Sequence, residues 1–146
     1  MSLFNFEESI SIGIERADIA EANKIEITEI FNDFSEAFLK ASNNKIHAKI
    51  KSQQRRIYEG NNALLAAASM LNFKYESFNA LVLSNGLKDY TIAEIIENED
   101  GYPLRIKVED YTSSYSDKDS LVLGLSKLVT RTEVGKYFKL LLNNDE

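Results

Sequence analysis

The chain contains no cysteine and no tryptophan, and it has a single histidine and a single proline. Without cysteine there is no disulfide, thiolate zinc site or cysteine nucleophile. The lone histidine, His47, excludes metal sites built from several histidines. Its neighbours on the predicted strand face are Lys49 and Lys51 rather than an orienting carboxylate, so we interpret His47 as a surface residue and not as a general base.

Motifs that carry common chemistries are also missing. The sequence has no Gly-x-Ser-x-Gly nucleophile elbow, no phosphate-cradling Gly-x-x-x-x-Gly-Lys loop and no Gly-x-Gly-x-x-Gly fingerprint. The acidic residues Glu97, Glu99 and Asp100 lack the regular alternation of oxygen ligands that a calcium loop needs, so they indicate a solvated turn. The sequence therefore predicts a protein that is not an enzyme and that uses no cofactor or metal.

Long apolar runs are missing too. No stretch approaches 18 consecutive apolar residues, and the first residues have neither a basic region nor an apolar run. These features predict neither a membrane span nor a signal peptide. The length of 146 residues fits one domain, residues 1–146, which we expect to be cytoplasmic.

The net charge of −6 is unevenly distributed. Residues 1–42 carry nine acidic and three basic residues, whereas residues 45–56 carry five basic residues and no acidic one. Overall acidity argues against a dedicated DNA-binding protein, because phosphate contacts require clustered lysine and arginine. Only the basic segment keeps a nucleic-acid role open.

The centre of the chain predicts a β-hairpin over residues 89–110. Its second arm alternates apolar Leu104, Ile106 and Val108 with charged residues, which is the period of a half-buried strand. Asn98-Glu-Asp-Gly101 supplies the turn between the arms, and Gly101 can adopt a positive φ.

The residues before the hairpin alternate between helical and strand patterns. Apolar residues at i, i+3, i+4, i+7, i+11 and i+14 from Ile27 to Ala41 predict an amphipathic helix over 18–41, ended by Ser42-Asn-Asn44. Ile10, Ile12 and Ile14 alternate, which favours a short strand within 3–14. Residues 45–51 predict a strand with a basic outer face, and residues 52–56 a loop or the approach to another strand. Residues 61–72 favour a short helix or a packed loop.

Residues 73–83 predict a strand, and Asn85-Gly86 a tight turn, so residues 73–110 should form a three-stranded meander. We interpret residues 111–116 as a polar loop. Ser116-x-x-Asp119 and Thr130-x-x-Glu133 match the helix-capping pattern, and apolar stripes follow both. They predict two C-terminal helices with a break near Thr130.

Together these elements predict an α+β fold. A single antiparallel sheet of four to five strands should pack on one face against the N-terminal helix and the two C-terminal helices. We expect the other face to be open to water or to a partner. Short turns within 73–110 disfavour a parallel sheet with crossover helices.

The absence of catalytic motifs and the acidic first helix favour a protein-binding module. An acidic surface can steer and dock a basic partner. Small acidic toxin immunity proteins neutralise nucleases in this way, a comparison made by analogy only. The candidate contact residues are acidic positions of the helix and two loop tyrosines: Glu26, Glu29, Asp33, Glu36, Tyr111 and Tyr115.

Three alternatives stay open. A small nucleic-acid-binding protein would use Lys49, Lys51, Arg55 and Arg56, although the sequence shows no aromatic residues alternating with them. A small-ligand-binding domain would need a pocket between sheet and helices. A homo-oligomer would pair an open sheet face or edge with a second copy.

Overall fold

A computed structural model describes residues 3–57 and 74–143 of the chain. In chain order its helices and strands are α1 (Phe6–Ala41), β1 (His47–Ile57), β2 (Lys74–Ser84), β3 (Asp89–Ile96), β4 (Leu104–Val108), β5 (Tyr111–Tyr115), α2 (Lys118–Val129) and α3 (Thr132–Asn143). The five strands form one antiparallel sheet in the order β1-β2-β3-β4-β5. The predicted α+β fold is confirmed, and the meander includes all five strands.

The main core lies between the sheet and the three helices. Its largest fully buried side chains come from β2, β4, α2, α3 and the residue before β1, and they are Ile46, Leu81, Leu83, Leu104, Leu121 and Leu141. Alternate residues of each strand point to this side, as the alternation on β4 predicted. The helices therefore cover one sheet face with the apolar stripes that the sequence displays.

Helix α1 begins much earlier than the sequence pattern predicted. The predicted strand within residues 3–14 is wrong, because residues 6–14 form the start of a 36-residue helix. Ile10 and Ile14 are four residues apart and share one side of the helix, whereas Ile12 lies on another side. The three isoleucines therefore fit a strand by their two-residue spacing and a helix by the four-residue spacing of Ile10 and Ile14. The helical spacing continues into the rest of α1.

The predicted end of α1 at residues 42–44 is confirmed. Asn43 and Asn44 adopt positive φ values of 57° and 66°, which turn the chain out of the helix. The buried Ser42 hydroxyl accepts a hydrogen bond from the Ile46 N–H at 2.8 Å and donates one to the Ile46 carbonyl at 3.2 Å. This small hydrogen-bonded loop sets the direction in which β1 begins.

Strand β1 is longer than predicted. Residues 52–56, predicted as a loop or the approach to another strand, continue β1 itself, and Ile57 pairs with Lys74. Polar residues are tolerated there because β1 pairs along all eleven positions with β2 and exposes much of its outer surface. The helix or packed loop predicted for 61–72 lies outside the described residues.

Residues 111–115 form strand β5, so the predicted polar loop is wrong. A two-residue turn with Glu109 at a φ of 56° folds the chain back, and Tyr111 pairs with Val108. All of β5 except Tyr115 is exposed. A short edge strand of this kind needs few apolar residues, so it has no strong sequence pattern.

Helix α2 is capped one residue later than the sequence suggested. Asp117, not Ser116, is the N-cap: its carboxylate accepts a hydrogen bond from the Ser120 N–H at 2.8 Å, and its own N–H donates to the Ser120 hydroxyl. Serine takes the place of the usual Glu or Gln in this reciprocal cap. The predicted break between the C-terminal helices is confirmed, since α2 ends at Val129 and α3 begins at Thr132.

The second face of the sheet is not fully open, which corrects the expectation of an exposed face. Ala80 and Val82 of β2 are completely buried, although they lie outside the main core. The continuous run Ala-Leu-Val-Leu at residues 80–83 is typical of a strand covered on both sides. The centre of this second sheet face is therefore not a suitable surface for binding a partner.

Both predicted turns are confirmed. Gly86 and Gly101 adopt φ values of 88° and 85°. The β3–β4 turn also touches α1, because the Asn23 amide donates a hydrogen bond to the Asp100 carbonyl at 3.1 Å. This contact attaches the tip of the hairpin to the middle of the long helix.

A candidate protein-binding groove

The second half of α1 and the length of α2 enclose an open groove with a volume of about 600 Å³. Apolar side chains from three helices line its floor: Ile30, Phe34, Phe38, Val122, Leu125 and Phe138. All of the lining residues belong to the three helices. The groove combines concavity with a mainly apolar lining.

An aromatic cluster shapes the wall that α1 contributes. Phe34 lies edge-on to Phe31 and to Phe38, with ring centroids 6.4 and 5.2 Å apart. Phe38 in turn contacts Phe138 of α3, with centroids 6.1 Å apart. Edge-to-face pairs of this kind fix ring positions beyond what burial alone does. The floor of the groove is therefore preformed.

The apolar residues of α2 form one stripe in the sequence, but in the structure they face two different surfaces. Leu121, Leu125 and Leu128 are buried against the body, whereas Val122 and Val129 are partly exposed and face the groove. A stripe wider than the core requires was the only sequence signal for this second wall. Sequence reasoning did not assign these residues to a site.

Three of the four acidic residues predicted on α1 lie together at the groove. Glu26, Glu29 and Asp33 line it along one side, while Lys118 is the basic residue among the lining side chains. Glu36 is exposed but does not line the groove. The site thus combines an apolar floor with an acidic edge.

Glu26 also has a role within the fold. The Tyr102 hydroxyl donates a hydrogen bond to the Glu26 carboxylate at 2.8 Å. Burial of the phenol, followed by this hydrogen bond, raises the pKa of Tyr102 well above its usual value. Glu26 therefore links α1 to the start of β4, and Glu29 and Asp33 are the acidic residues available to a partner.

We expect Tyr102→Phe to lower the free energy of unfolding by about 1 kcal/mol at neutral pH, because it removes a part-buried hydrogen bond. The wild type should also lose stability above the unfolded tyrosine pKa of about 10. The raised folded pKa means that the unfolded state releases its proton first, so this stabilisation is complete below that pH and declines as the pH rises towards the folded pKa. Urea titrations across this range measure both effects.

Tyr111→Phe is the matched control for this substitution, since the Tyr111 side chain is 83% exposed. It should leave both the neutral-pH stability and the alkaline decline unchanged. Parallel stability–pH curves for wild type and Tyr102→Phe would contradict the assigned hydrogen bond.

The two candidate tyrosines have different surroundings. Tyr111 is exposed on the edge strand, whereas Tyr115 packs against the core and against Gly124 of α2. A Cβ at Gly124 would come within 2.3 Å of the Tyr115 ring, so the absence of a side chain there lets α2 approach β5. Tyr115 thus positions the groove wall rather than offering an exposed contact surface.

The basic strand is largely matched by acidic neighbours on the sheet. Lys49 and Lys51 approach the Asp89 carboxylate, at 4.0 and 3.2 Å, and Arg55 forms ion pairs with Glu76 and Glu94. Hydrogen bonds from Ser84 and Lys51, together with the charges of both lysines, outweigh desolvation and lower the pKa of Asp89. The structure therefore pairs these basic side chains with acidic residues of β2 and β3.

Arg55 is held on three sides. Its hydrogen bonds to Glu94 and then Glu76 raise the pKa of the Arg55 guanidinium, which also lies over the Phe78 ring at 4.8 Å from the centroid. Arg56, the fourth candidate cation, is partly buried and also has interactions within the fold. A phosphate backbone would compete with these internal contacts, which disfavours the nucleic-acid alternative.

The remaining ionisable candidates form no reactive cluster. His47 is half-buried at the start of β1, and Glu97, Glu99 and Asp100 are exposed at the hairpin tip. Within residues 3–57 and 74–143, no three His, Asp or Glu side chains are arranged to hold a metal ion. Among the same residues, no helix is both long and apolar enough to cross a membrane.

Comparisons of this chain with models of protein families, with curated proteins and with solved structures find no match.

Proposed function

We propose that the protein is a non-enzymatic binding module that holds an amphipathic helix of a partner protein in the groove between α1 and α2. The partner helix would carry basic residues beside its apolar anchors. The observation that supports this proposal is the combination of an apolar floor with Glu29 and Asp33 on its edge. An inhibitor or immunity-type protein that docks a basic partner is one form of such a module.

The dimensions of the groove suit a helix. Its α2 wall has 12 residues, about 18 Å at the helical rise per residue. An amphipathic helix of that length presents anchors at i, i+3, i+4 and i+7, which is the usual way a helix enters an apolar groove. Val122 and Phe138 would contact those anchors from two sides.

The charges along the groove favour a basic partner. Glu29 and Asp33 lie one turn apart on α1, so they would meet lysine or arginine residues at the same spacing on a docked helix. Such exposed pairs contribute modestly to affinity, but they accelerate encounter and select against acidic partners. Binding should therefore weaken as salt rises without being abolished, because the apolar floor is insensitive to screening.

The test is a pull-down in which the immobilised protein is the wild type or a variant at one of two neighbouring residues of α2. Val122, 42% exposed, lines the groove, and Leu123, 57% exposed, does not. We expect wild type and Leu123→Asp to retain a partner protein from host lysate. Val122→Asp should retain at least about tenfold less of it, since the new carboxylate would lie against the apolar anchors of the partner helix. Quantitative mass spectrometry at low and physiological salt measures the retention.

A charge-reversal pair addresses the acidic edge. Asp33→Lys should slow association with the captured partner, and Glu36→Lys, which is outside the groove, should change it little. If no captured protein distinguishes Val122→Asp from Leu123→Asp, the groove is not the contact site. If both lysine variants slow association equally, the acidic helix acts through its overall charge alone.

A small apolar ligand is the second candidate, favoured by one observation. The groove volume of about 600 Å³ falls within the range of small-molecule sites, roughly 300–1,000 Å³. A panel of metabolites in a thermal-shift assay tests this reading. A ligand that raises the melting temperature of wild type and Leu123→Asp, but not of Val122→Asp, would favour it over a partner helix.

A further inference from the structure

The first half of α1 projects from the body as an exposed arm, which we define as residues 3–20. Every residue from 3 to 19 is exposed, although the segment contains large apolar side chains. Helix hydrogen bonds alone rarely maintain so long an exposed helix, since most helical stability in proteins comes from packing of an apolar face. The arm therefore lacks the packing that its sequence is able to make.

The apolar positions of the arm follow a heptad pattern. From Phe6, apolar or small residues alternate at spacings of four and three, at Phe6, Ile10, Gly13, Ala17 and Ala20. We call these positions, with Leu3 before them, the seam. The same alternation continues beyond Lys24 through Ile27, Phe31, Phe34 and Phe38, where it packs on the protein's own sheet. A sustained repeat of 3.5 residues is typical of helices that pair along their length.

No acidic residue occupies the seam, although five acidic residues and one basic residue lie in residues 3–22. Two of the charged residues flank the seam: Arg16 precedes Ala17, and Glu21 follows Ala20. In a parallel pair of helices, these flanking positions face each other five residues apart. Arg16 of each copy would then lie beside Glu21 of the other, twice in a symmetric dimer. An antiparallel pair would instead bring like flanking positions together, including Glu7 and Glu21.

The exposed apolar area is large enough for an interface. Four large side chains on or beside the seam, Leu3, Phe6, Ile10 and Ile14, are 59% to 90% exposed. Taking roughly 200 Å² for each, they leave on the order of 500 Å² per copy in water. Two copies would bury on the order of 1,000 Å², which is where specific interfaces begin.

Other occupants fit the arm less well. Its excess of acidic residues would be repelled by anionic lipid headgroups. It would also be repelled by the acidic edge of the groove, at Glu29 and Asp33, in its own chain or in a neighbour. Pairing of two arms along the seam instead leaves Glu8, Glu15 and Asp18 on the outside, where water separates their charges.

We propose that the protein forms a parallel homodimer in which the arms of two copies pair along the seam as a short coiled coil. The interface is separate from the groove between α1 and α2. The dimer would therefore present two grooves, which raises the avidity for a partner that carries two sites. Added salt should not dissociate the dimer, because ionic screening also reduces the electrostatic repulsion between the acidic outer faces of the two arms.

Sedimentation analysis of the full chain, from micromolar to hundreds of micromolar, tests the pairing. We expect wild type to have twice the monomer mass, and the double variant Phe6→Asp, Ile10→Asp to raise the dimer dissociation constant by on the order of 100-fold or more, because charge replaces apolar contacts on both copies. The matched control, Ile12→Asp with Ile19→Asp, changes two exposed isoleucines on the other side of the arm. It should stay dimeric.

A monomeric wild type throughout that range would overturn the proposal, as would a control pair that dissociates as readily as the seam pair. Circular dichroism and thermal unfolding check that all variants keep their fold. Val122→Asp should leave the mass unchanged, so a failure of the groove and a failure of the dimer are distinguishable.

Orientation is tested with introduced cysteines, since the chain has none of its own. Ile10→Cys lies on the seam and would face itself in a parallel dimer, so it should form a disulfide-linked dimer in a glutathione buffer. Glu15→Cys lies on the outside and should not. A dimeric Ile10→Cys variant that fails to cross-link, or cross-links no better than Glu15→Cys, would overturn the parallel arrangement.

Discussion

Gly101→Ala should lower the free energy of unfolding by about 2–5 kcal/mol, whereas Gly86→Ala should lower it by only about 1–2 kcal/mol. Both glycines occupy hairpin turns and have nearly equal positive φ values, 85° and 88°. Each alanine therefore introduces a similar backbone strain. The difference between the two variants isolates the surroundings of Gly101.

Those surroundings are the middle of α1. A Cβ at Gly101 would come within 2.7 Å of the Asn23 Cβ and 3.3 Å of its backbone, whereas a Cβ at Gly86 would meet nothing within 4 Å. The helix backbone cannot yield as a flexible side chain would, so the hairpin tip must move away. That movement would also break the hydrogen bond from the Asn23 amide to the Asp100 carbonyl.

Chemical denaturation of both variants measures the difference. Asn23→Ala provides a further check, because it removes the hydrogen bond without adding volume and should cost about 1 kcal/mol. Equal losses for Gly101→Ala and Gly86→Ala would mean that the tip does not pack against α1 in solution.

Leu141→Ala should lower the free energy of unfolding by about 2–5 kcal/mol, because it leaves a cavity where α3 enters the core. Its side chain is fully buried, and that of its neighbour Leu140 is 47% exposed. Leu140→Ala removes the same atoms from the same helix and should cost well under about 1 kcal/mol, as expected for a surface position. The difference between the two variants therefore measures the contribution of burial to the free energy of unfolding, because both change the helix propensity equally.

The position of α3 depends on Leu141 in a second way. Its carbonyl accepts a hydrogen bond from the Asn85 side chain at 3.1 Å, which joins the end of α3 to the β2–β3 turn. A shift of α3 would move Phe138, whose ring contacts Phe38 on the groove floor. We therefore expect Leu141→Ala to weaken partner binding at the groove as well as stability. Equal stabilities for the two alanine variants, by chemical denaturation, would contradict the assigned packing.

Much of the fold was predictable because its signals are local. The 3.6-residue period between Ile27 and Ala41, the alternation on β4 and the Asn85-Gly86 turn each depend on residues close in sequence. Two of the segments that the sequence missed lack such signals. Strand β5 is short, polar and exposed, so only its pairing with β4 defines it. In residues 52–56, pairing with β2 likewise outweighs polar composition.

The candidate site was predictable only in part. The acidic face of α1 was visible in the sequence, and Glu29 and Asp33 do lie at the groove. Which acids remain available was not visible, because Tyr102 engages Glu26 from 76 residues away. The acidic partners of Lys51 and Arg55 also come from other strands, so the basic run in the sequence becomes a network of ion pairs in the fold.

The amino-acid sequence excludes chemistry that requires cysteine or several histidines, and it specifies the type of most helices and strands. Composition and short-range periodicity suffice for both. Three further features appear only in the folded chain: α1 and α2 enclose a groove, Val122 faces that groove while Leu121 faces the core, and the arm of α1 is exposed. These features depend on how elements distant in the chain pack against each other, and no local pattern specifies those distances and angles.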